Sequence, residues 1–346
     1  MKFANFATFP LVEPLTGNSG GPNRPSANRR SAFSMVELLV VMTLLSLIVL
    51  ALMAVFNSTQ QAFRAGVTQT DVLEGSRATV DLMTSDLRGL TPSDGTTNYW
   101  VDKNGFATSV PSGGPEFFGA VNFMALDNNN CGFSYNSYLP SLAYQPLVQS
   151  LPGSTLMRTN VLNYFFLLGR VNTRWTGVGY VVNSASSSPL YPLYRFYAET
   201  NIAASPYALF TDFTNAVYYA QWTNLSHVMN GVVHLTVRPF DAGGYRMTNT
   251  ALVVSRSLNG QTNYHDNVWF TPYPYWGEVG CYFFSNAVPA SVELELGVLE
   301  DRALERAGSL PFQSPAQLNY LAQQAGKIHL FRQRVTIPNV DPSAYQ

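Results

Sequence analysis

Residues 38–56 read LLVVMTLLSLIVLALMAVF. The run holds no charge, no proline and no glycine, and its only polar members are Thr43 and Ser46. Nineteen residues at ~1.5 Å each make a helix of about 28 Å, close to the ~30 Å hydrocarbon core of a bilayer. The flanks are unequal. Lys2, Arg24, Arg29 and Arg30 precede the run against the single acid Glu13. That excess predicts a cytoplasmic N-terminus and an exported remainder. A secretory signal peptide would have a shorter apolar core, of about 7–15 residues, and a small-x-small cleavage site after it. Here the stretch that follows, NSTQQAFRAG, offers only weak sites. A plain signal anchor accounts for everything except one residue, Glu37, which stands immediately before the run.

An isolated carboxylate inside a membrane helix costs ~2.5–3.5 kcal/mol on insertion scales, and less near the interface. Glu37 is either a headgroup-level residue satisfied by water or a partner for a positive group. Cleavage after Ala32 would create such a group, an α-amino terminus on Phe33, and would make Glu37 the fifth residue of the mature chain. Ala32, Phe33, Ser34, Met35, Val36, Glu37 and the run from Leu38 resemble the class III signal of type IV pilins and type II secretion pseudopilins. In those families a Gly or Ala at the cut is followed by Phe-Thr-x-x-Glu and about twenty apolar residues. Two features depart from the pattern: Ala32 replaces the commoner Gly, and a leader of 32 residues is long. The resemblance implies cleavage by a prepilin peptidase between Ala32 and Phe33, methylation of the Phe33 amine, and an assembly role for Glu37.

Residues 1–32 carry GNSGGPNRPSANRR, whose composition predicts a disordered cytoplasmic leader. Beyond the apolar run, residues 57–89 continue as an amphipathic half-helix. Phe63, Val67, Thr70, Leu73, Val80, Met83, Leu87 and Leu90 recur at steps of three, four or seven, and charged residues including Asp86 take other positions. GLTPSDG, from Gly89, stops the helix. Residues 90–346 change pattern and read as a β-rich exported domain. Candidate strands are AVNFMAL, NYFFLLGRV, GVGYVVN, LYRFYAET, VVHLTVRPFD, SVELELGVL and the terminal KIHLFRQRVTI. Short helices are expected at Asp301–Ala307 and at Ser314–Ala325, the second with a serine cap, a proline at its first position and a glycine stop.

Three pieces in order, GVGYVVN with LYPLYRFYAE, LSHVMNGVVHLTVRPFDAGG, and NAVPASVELELGVLE, are similar to the globular domain of J-type minor pseudopilins. The whole chain, including FRQRVTIPNVD, resembles the prepilin-like Verru_Chthon cassette protein C family. The resemblance implies a pilin-like α+β fold, with one long N-terminal helix packed on antiparallel sheets.

Composition and motifs narrow the chemistry. Charged residues make up 12% of the chain, about half of the ~25% typical of soluble domains. Net charge is −1 and no basic block lies outside the N-terminus, so no nucleic-acid partner is expected. Removing the leader takes away four of 20 basic residues and one of 21 acidic ones, leaving 16 and 20, near −4. The two cysteines, Cys131 and Cys281, form no metal-ligand spacing but could pair after export. His227, His234, His265 and His329 show no HxH or HExxH spacing, and no nucleophile elbow or phosphate loop occurs. Asp127, Asn128, Asn129 and Asn130 could offer calcium ligands, but a single charge favours a hydrogen-bonded turn. Glu293 and Glu295 alternate with Val292, Leu294 and Leu296, the pattern of a strand's solvent face. Trp175, Trp222, Trp269 and Trp276 fit either a β core or a binding surface.

The expectation is therefore a non-enzymatic, cofactor-free minor pseudopilin, single-pass in the inner membrane, whose partners are the prepilin peptidase and other pilins. Two alternatives remain: an anchored binding domain that never enters a filament, and a tethered carbohydrate-active enzyme with two carboxylates across an aromatic cleft.

Overall fold

The computed structural model describes residues 34–93, 120–127, 146–204, 206–248, 256–258, 261–263, 268–270, 278–284, 286–341 and 344. The chain divides into two units, residues 1–61 and 62–346. Helix α1 is Met35–Arg88. Then come β1 (Val121–Asp127), β2 (Leu147–Ser150), β3 (Met157–Asn160), β4 (Asn163–Val171), β5 (Arg174–Val182), β6 (Leu193–Asn201) and α2 (Tyr207–Tyr218). They are followed by β7 (Ser226–Met229), β8 (Val232–Phe240), β9 (Arg256–Leu258), β10 (Gln261–Asn263), β11 (Val268–Phe270) and β12 (Cys281–Phe284). The last elements are β13 (Ser291–Leu299), α3 (Asp301–Gly308), α4 (Pro315–Ala322) and β14 (Ile328–Thr336). The architecture is α+β and pilin-like: a long apolar N-terminal helix and a larger globular domain of antiparallel sheets.

Seven strands form the main sheet, in the order β11-β12-β1-β4-β5-β6-β7. A second sheet has the order β14-β13-β8, and two hairpins, β2-β3 and β9-β10, stand apart. In the main sheet the central strands are apolar on both sides. Asn163–Gly169 of β4 and all of β1 are buried without alternation, because both faces are covered. On one face Phe123, Phe165, Leu167, Val178 and Tyr180 join Val72, Val80, Met83 and Leu87 of α1, together with Leu235, Leu294 and Leu296 of the second sheet. On the other face Met124, Tyr164, Phe166, Leu168 and Val181 meet α2.

Helix α2 has no counterpart among the helices expected from sequence. Its residues YALFTDFTNAVY are rich in aromatic and β-branched types, and no side chain caps it after Pro206. Its buried positions, Leu209, Phe210, Phe213, Ala216 and Val217, still fall on one helical face. Gly177 and Gly179 of β5 let this helix approach. A Cβ on Gly177 would lie 2.9 Å from Leu209 Cβ, and one on Gly179 would collide with the Phe213 ring. Gly179→Ala is therefore expected to destabilise the domain by ~1–3 kcal/mol through overpacking. Chemical denaturation of the full chain in micelles checks this, and an unchanged midpoint would contradict the packing described.

The buried stripe of α1 differs from the expected one. It comprises Val72, Ser76, Thr79, Val80, Met83, Thr84 and Leu87, whereas Phe63 and Val67 are 72% and 44% exposed and Thr70 is exposed. Ser76 and Thr79 tolerate the core because their hydroxyls donate to Val72 O and Gly75 O, at 2.6 and 2.8 Å. The helix ends before Gly89. Leu90 then pairs with Gly169, and the Thr91 amide donates to Leu168 O at 2.9 Å. Helix α4 starts as expected: Pro315 follows Ser314, whose Oγ accepts the Gln317 amide at 3.2 Å.

Glu293 and Glu295 do not form a solvated face. Glu293 is 7% exposed. Arg238 Nη1 donates to Glu293 at 3.3 Å and to Glu295 at 3.0 Å, and Arg332 Nη2 donates to Glu293 at 2.8 Å. Arg238 also donates to Glu278 at 2.7 Å, and Arg246 shares that carboxylate. The outer face of the second sheet is a layer of ion pairs, in which each carboxylate lies opposite or diagonal to an arginine.

Candidate functional site

Ser34 precedes the first residue of α1. Its Oγ accepts the Glu37 amide at 3.2 Å, and its carbonyl accepts the Leu38 amide at 3.2 Å. Ser34 is thus the N-cap and Glu37 the third helical residue, the serine-to-glutamate spacing of a capping box. The carboxylate stands at the positive end of the helix, where negative charge is favoured. Sequence reasoning singled out Glu37 and passed over the Ser34 hydroxyl. The signal was present, as a Ser-x-x-Glu immediately ahead of an apolar run.

Within Met35–Phe63 the most apolar 18-residue window has a mean hydropathy of 3.0, and none of that window is buried in protein. Among the described residues it is the one helix long and apolar enough to cross a membrane. Such a helix, apolar on all sides and uncovered by protein, suits a lipid surrounding. The hydroxyls of residues 38–56 need no water. Thr43 Oγ1 donates to Val40 O and Ser46 Oγ to Met42 O, each at 2.8 Å. Both bond a carbonyl of their own helix, the condition for placing them in hydrocarbon. Just beyond the run, Thr59 Oγ1 donates to Val55 O at 2.9 Å in the same way.

Ala32 and Phe33 lie outside the described residues, as do Cys131, His265, Asn128, Asn129, Asn130 and Trp276. Cys281 is fully buried on β12, opposite Ala125 of β1, and burial pushes its thiol up to about 12. Trp175 is buried with the Arg170 guanidinium 5.6 Å from its ring, and Trp222 stacks on Tyr194 at 5.3 Å. These two tryptophans pack against the domain. His234 is buried, and burial pulls its pKa down to about 4. His227 lies 2.7 Å from Asn230 Oδ1 at the edge of Tyr194, and His329 lies 3.4 Å from Glu300. Among the described residues no three His, Cys, Asp or Glu side chains gather as a metal site.

A feature the sequence reading did not find joins α1 to the main sheet. Arg195 of β6 donates through Nε and Nη2 to both oxygens of Asp86, each at 2.9 Å. The Tyr180 hydroxyl of β5 donates to the same carboxylate at 2.5 Å. Burial first, and then the hydrogen bond and charge of Asp86, hold the Tyr180 hydroxyl well above the usual phenol range. Burial alone would lower the Arg195 guanidinium, but Asp86 reverses this and raises it.

Residues 27–53 match the prokaryotic N-terminal methylation motif, the type IV pilin-like signal. Among curated proteins nothing matches the chain, and among solved structures nothing matches it either. The motif covers Arg29, Arg30, Ala32, Phe33, the Ser34 cap, Glu37 and the first part of the apolar helix. It marks a prepilin-processed protein, whose peptidase cleaves such signals and whose products assemble with other pilins.

Proposed function

We propose that the chain is a minor pseudopilin, cut after Ala32 and N-methylated on Phe33. It is assembled at or near the tip of a type II secretion or type IV pilus-like filament. The observation that carries this reading is the coincidence of the methylation motif with a capped, uncovered apolar helix at the same residues. The leader's positive charge keeps the N-terminus cytoplasmic and sends the β-rich domain to the periplasm. A large domain on a single helix crowds a repeating shaft, which favours a tip or minor position. The three sequence pieces similar to J-type minor pseudopilins favour the same minor role. Its action is mechanical, and no catalytic step is assigned to it.

The Ser34 cap gives the anchored-domain reading an observation of its own, since the Ser-x-x-Glu spacing offers Glu37 a local role that needs no partner subunit. One substitution separates the two. A glutamine in place of Glu37 would keep the backbone amide that Ser34 Oγ accepts and the capping-box residue type, but would carry no charge to pair with a Phe33 amine. Glu37→Gln is expected to insert and to be cut to a mature chain starting at Phe33, read by mass spectrometry. It is also expected to lose most of its crosslinking to partner pilins in membranes. Equal crosslinking of variant and wild type would assign Glu37 to capping alone, and an intact N-terminus beside an active prepilin peptidase would remove the pilin reading.

A further inference from the structure

On the outer face of the β14-β13-β8 sheet, four polar groups converge beside the β2-β3 hairpin. His234 and Thr236 are alternate residues of β8 and share that face, and Glu295 of β13 stands opposite Thr236. Arg158 comes from β3, three residues before Val161, whose amide bonds the His234 ring. The Val161 amide donates to His234 Nδ1 at 3.1 Å, so the neutral ring carries its proton on Nε2. Nε2 lies 3.9 Å from Glu295 Oε1, too far for a direct hydrogen bond. Glu295 Oε2 is engaged by Arg238 Nη1 at 3.0 Å. His234 Nε2, Thr236 Oγ1 and Arg158 Nη2 are buried and have no hydrogen-bond partner among protein atoms of the described residues. The histidine is 95% buried, since its exposure is 5%, and Thr236 is 0% exposed.

Buried polar groups in such a cluster are satisfied by something, and a gap beyond 3.5 Å between donor and acceptor invites a bridging molecule. The donor and acceptor census identifies it. His234 Nε2–H and Arg158 Nη2–H donate, Glu295 Oε1 accepts, and the Thr236 hydroxyl can do either. We infer that this cluster is a binding site for a single internal water, which fastens the β2-β3 hairpin to the second sheet. Water accepts twice and donates twice, and so completes all four groups. A halide could accept from the two N–H groups and the Thr236 hydroxyl but would face the Glu295 carboxylate. A metal cation would face the Arg158 guanidinium.

The test uses the full chain in non-ionic micelles with ¹⁵N-labelled histidine. The His234 ring is expected to be the Nε2–H tautomer. Its Nε2 proton should show a cross-peak to water with the sign of a long-lived contact, unaltered when chloride is exchanged for bromide. Thr236→Val removes one of the four partners and is expected to abolish the cross-peak, whereas Thr236→Ser restores it. Absence of the cross-peak in wild type, an Nδ1–H tautomer, or a bromide-dependent shift of the ring would each overturn the inference. The wild-type spectrum decides even if the valine variant does not fold.

Discussion

Replacing Asp86 by alanine is expected to cost the globular domain about 2–4 kcal/mol. Removing one partner of a buried ion pair costs ~3–5 kcal/mol, because the other charge is left without compensation. The side chains of Arg195 and Asp86 are 21% and 13% exposed, which lets water screen part of the loss. Two charge-assisted hydrogen bonds from Arg195 and one from Tyr180 disappear together. Tyr180 and Arg195 face each other in the β5-β6 register, so a single carboxylate ties the last turn of α1 to two neighbouring strands. An acid in that turn opposes the helix dipole, and the clamp is the compensation. Arg195 also stacks over Tyr197, at 5.0 Å, and keeps that contact in the variant. The measurement is a double-mutant cycle by denaturation, pairing Asp86→Ala with Arg195→Met. The double variant should lose clearly less than the sum of the singles. A loss below about 1 kcal/mol in Asp86→Ala would class the pair with exposed salt bridges.

Asp86 also shows where the sequence ran out of information. On an amphipathic helix a charged residue off the apolar stripe reads as solvated. Nothing in the 3.6-residue period reports that an arginine more than one hundred residues later folds beside it. The same limit misplaced Glu293 and Glu295. Their alternation with valine and leucine located one face of β13 correctly, but the arginines that cover the other face come from β8 and β14. Elements whose pattern depends on their own residues were legible. Strands β4, β8, β13 and β14 lie where apolar runs bounded by turn residues put them, and α4 begins at its serine cap. Helix α2 was missed because its aromatic and threonine content favours a strand, while its apolar spacing, which alone favoured a helix, is short. At the N-terminus the apolar helix and the methylation motif were readable because both are local in sequence. The Ser34 cap was equally local and needed only the capping-box spacing to be read.

Stability is expected to fall as pH drops from about 6.5 to about 4, through His234. Burial is the main cause of its low pKa. Glu295 opposes the shift, and Arg158 and Arg238 reinforce it. The folded ring is neutral, and protonating Nδ1 would also remove the acceptor that holds the Val161 amide. The folded group titrates near 4 and the unfolded one near its ordinary value of 6.5. Between those values the unfolded chain binds a proton that the native domain refuses, so the stabilisation is complete above 6.5 and lost on the way down to 4. One proton over that window amounts to ~1.4 kcal/mol per pH unit, about 3 kcal/mol in all. The Glu295 carboxyl is shifted down in spite of its burial, by the hydrogen bond and charge of Arg238 and the charge of Arg158. Its contribution is present above its ordinary value of 4.5 and is lost below that, so the interval from pH 6.5 to 5 isolates the histidine. His234→Asn supplies the control, because asparagine Oδ1 can accept the Val161 amide but does not titrate. Urea unfolding of the full chain across this interval should give wild type a slope steeper than that of the asparagine variant by about one proton. Equal slopes would mean that His234 already carries its proton in the folded domain, and the Nε2–H ring described above would then be wrong.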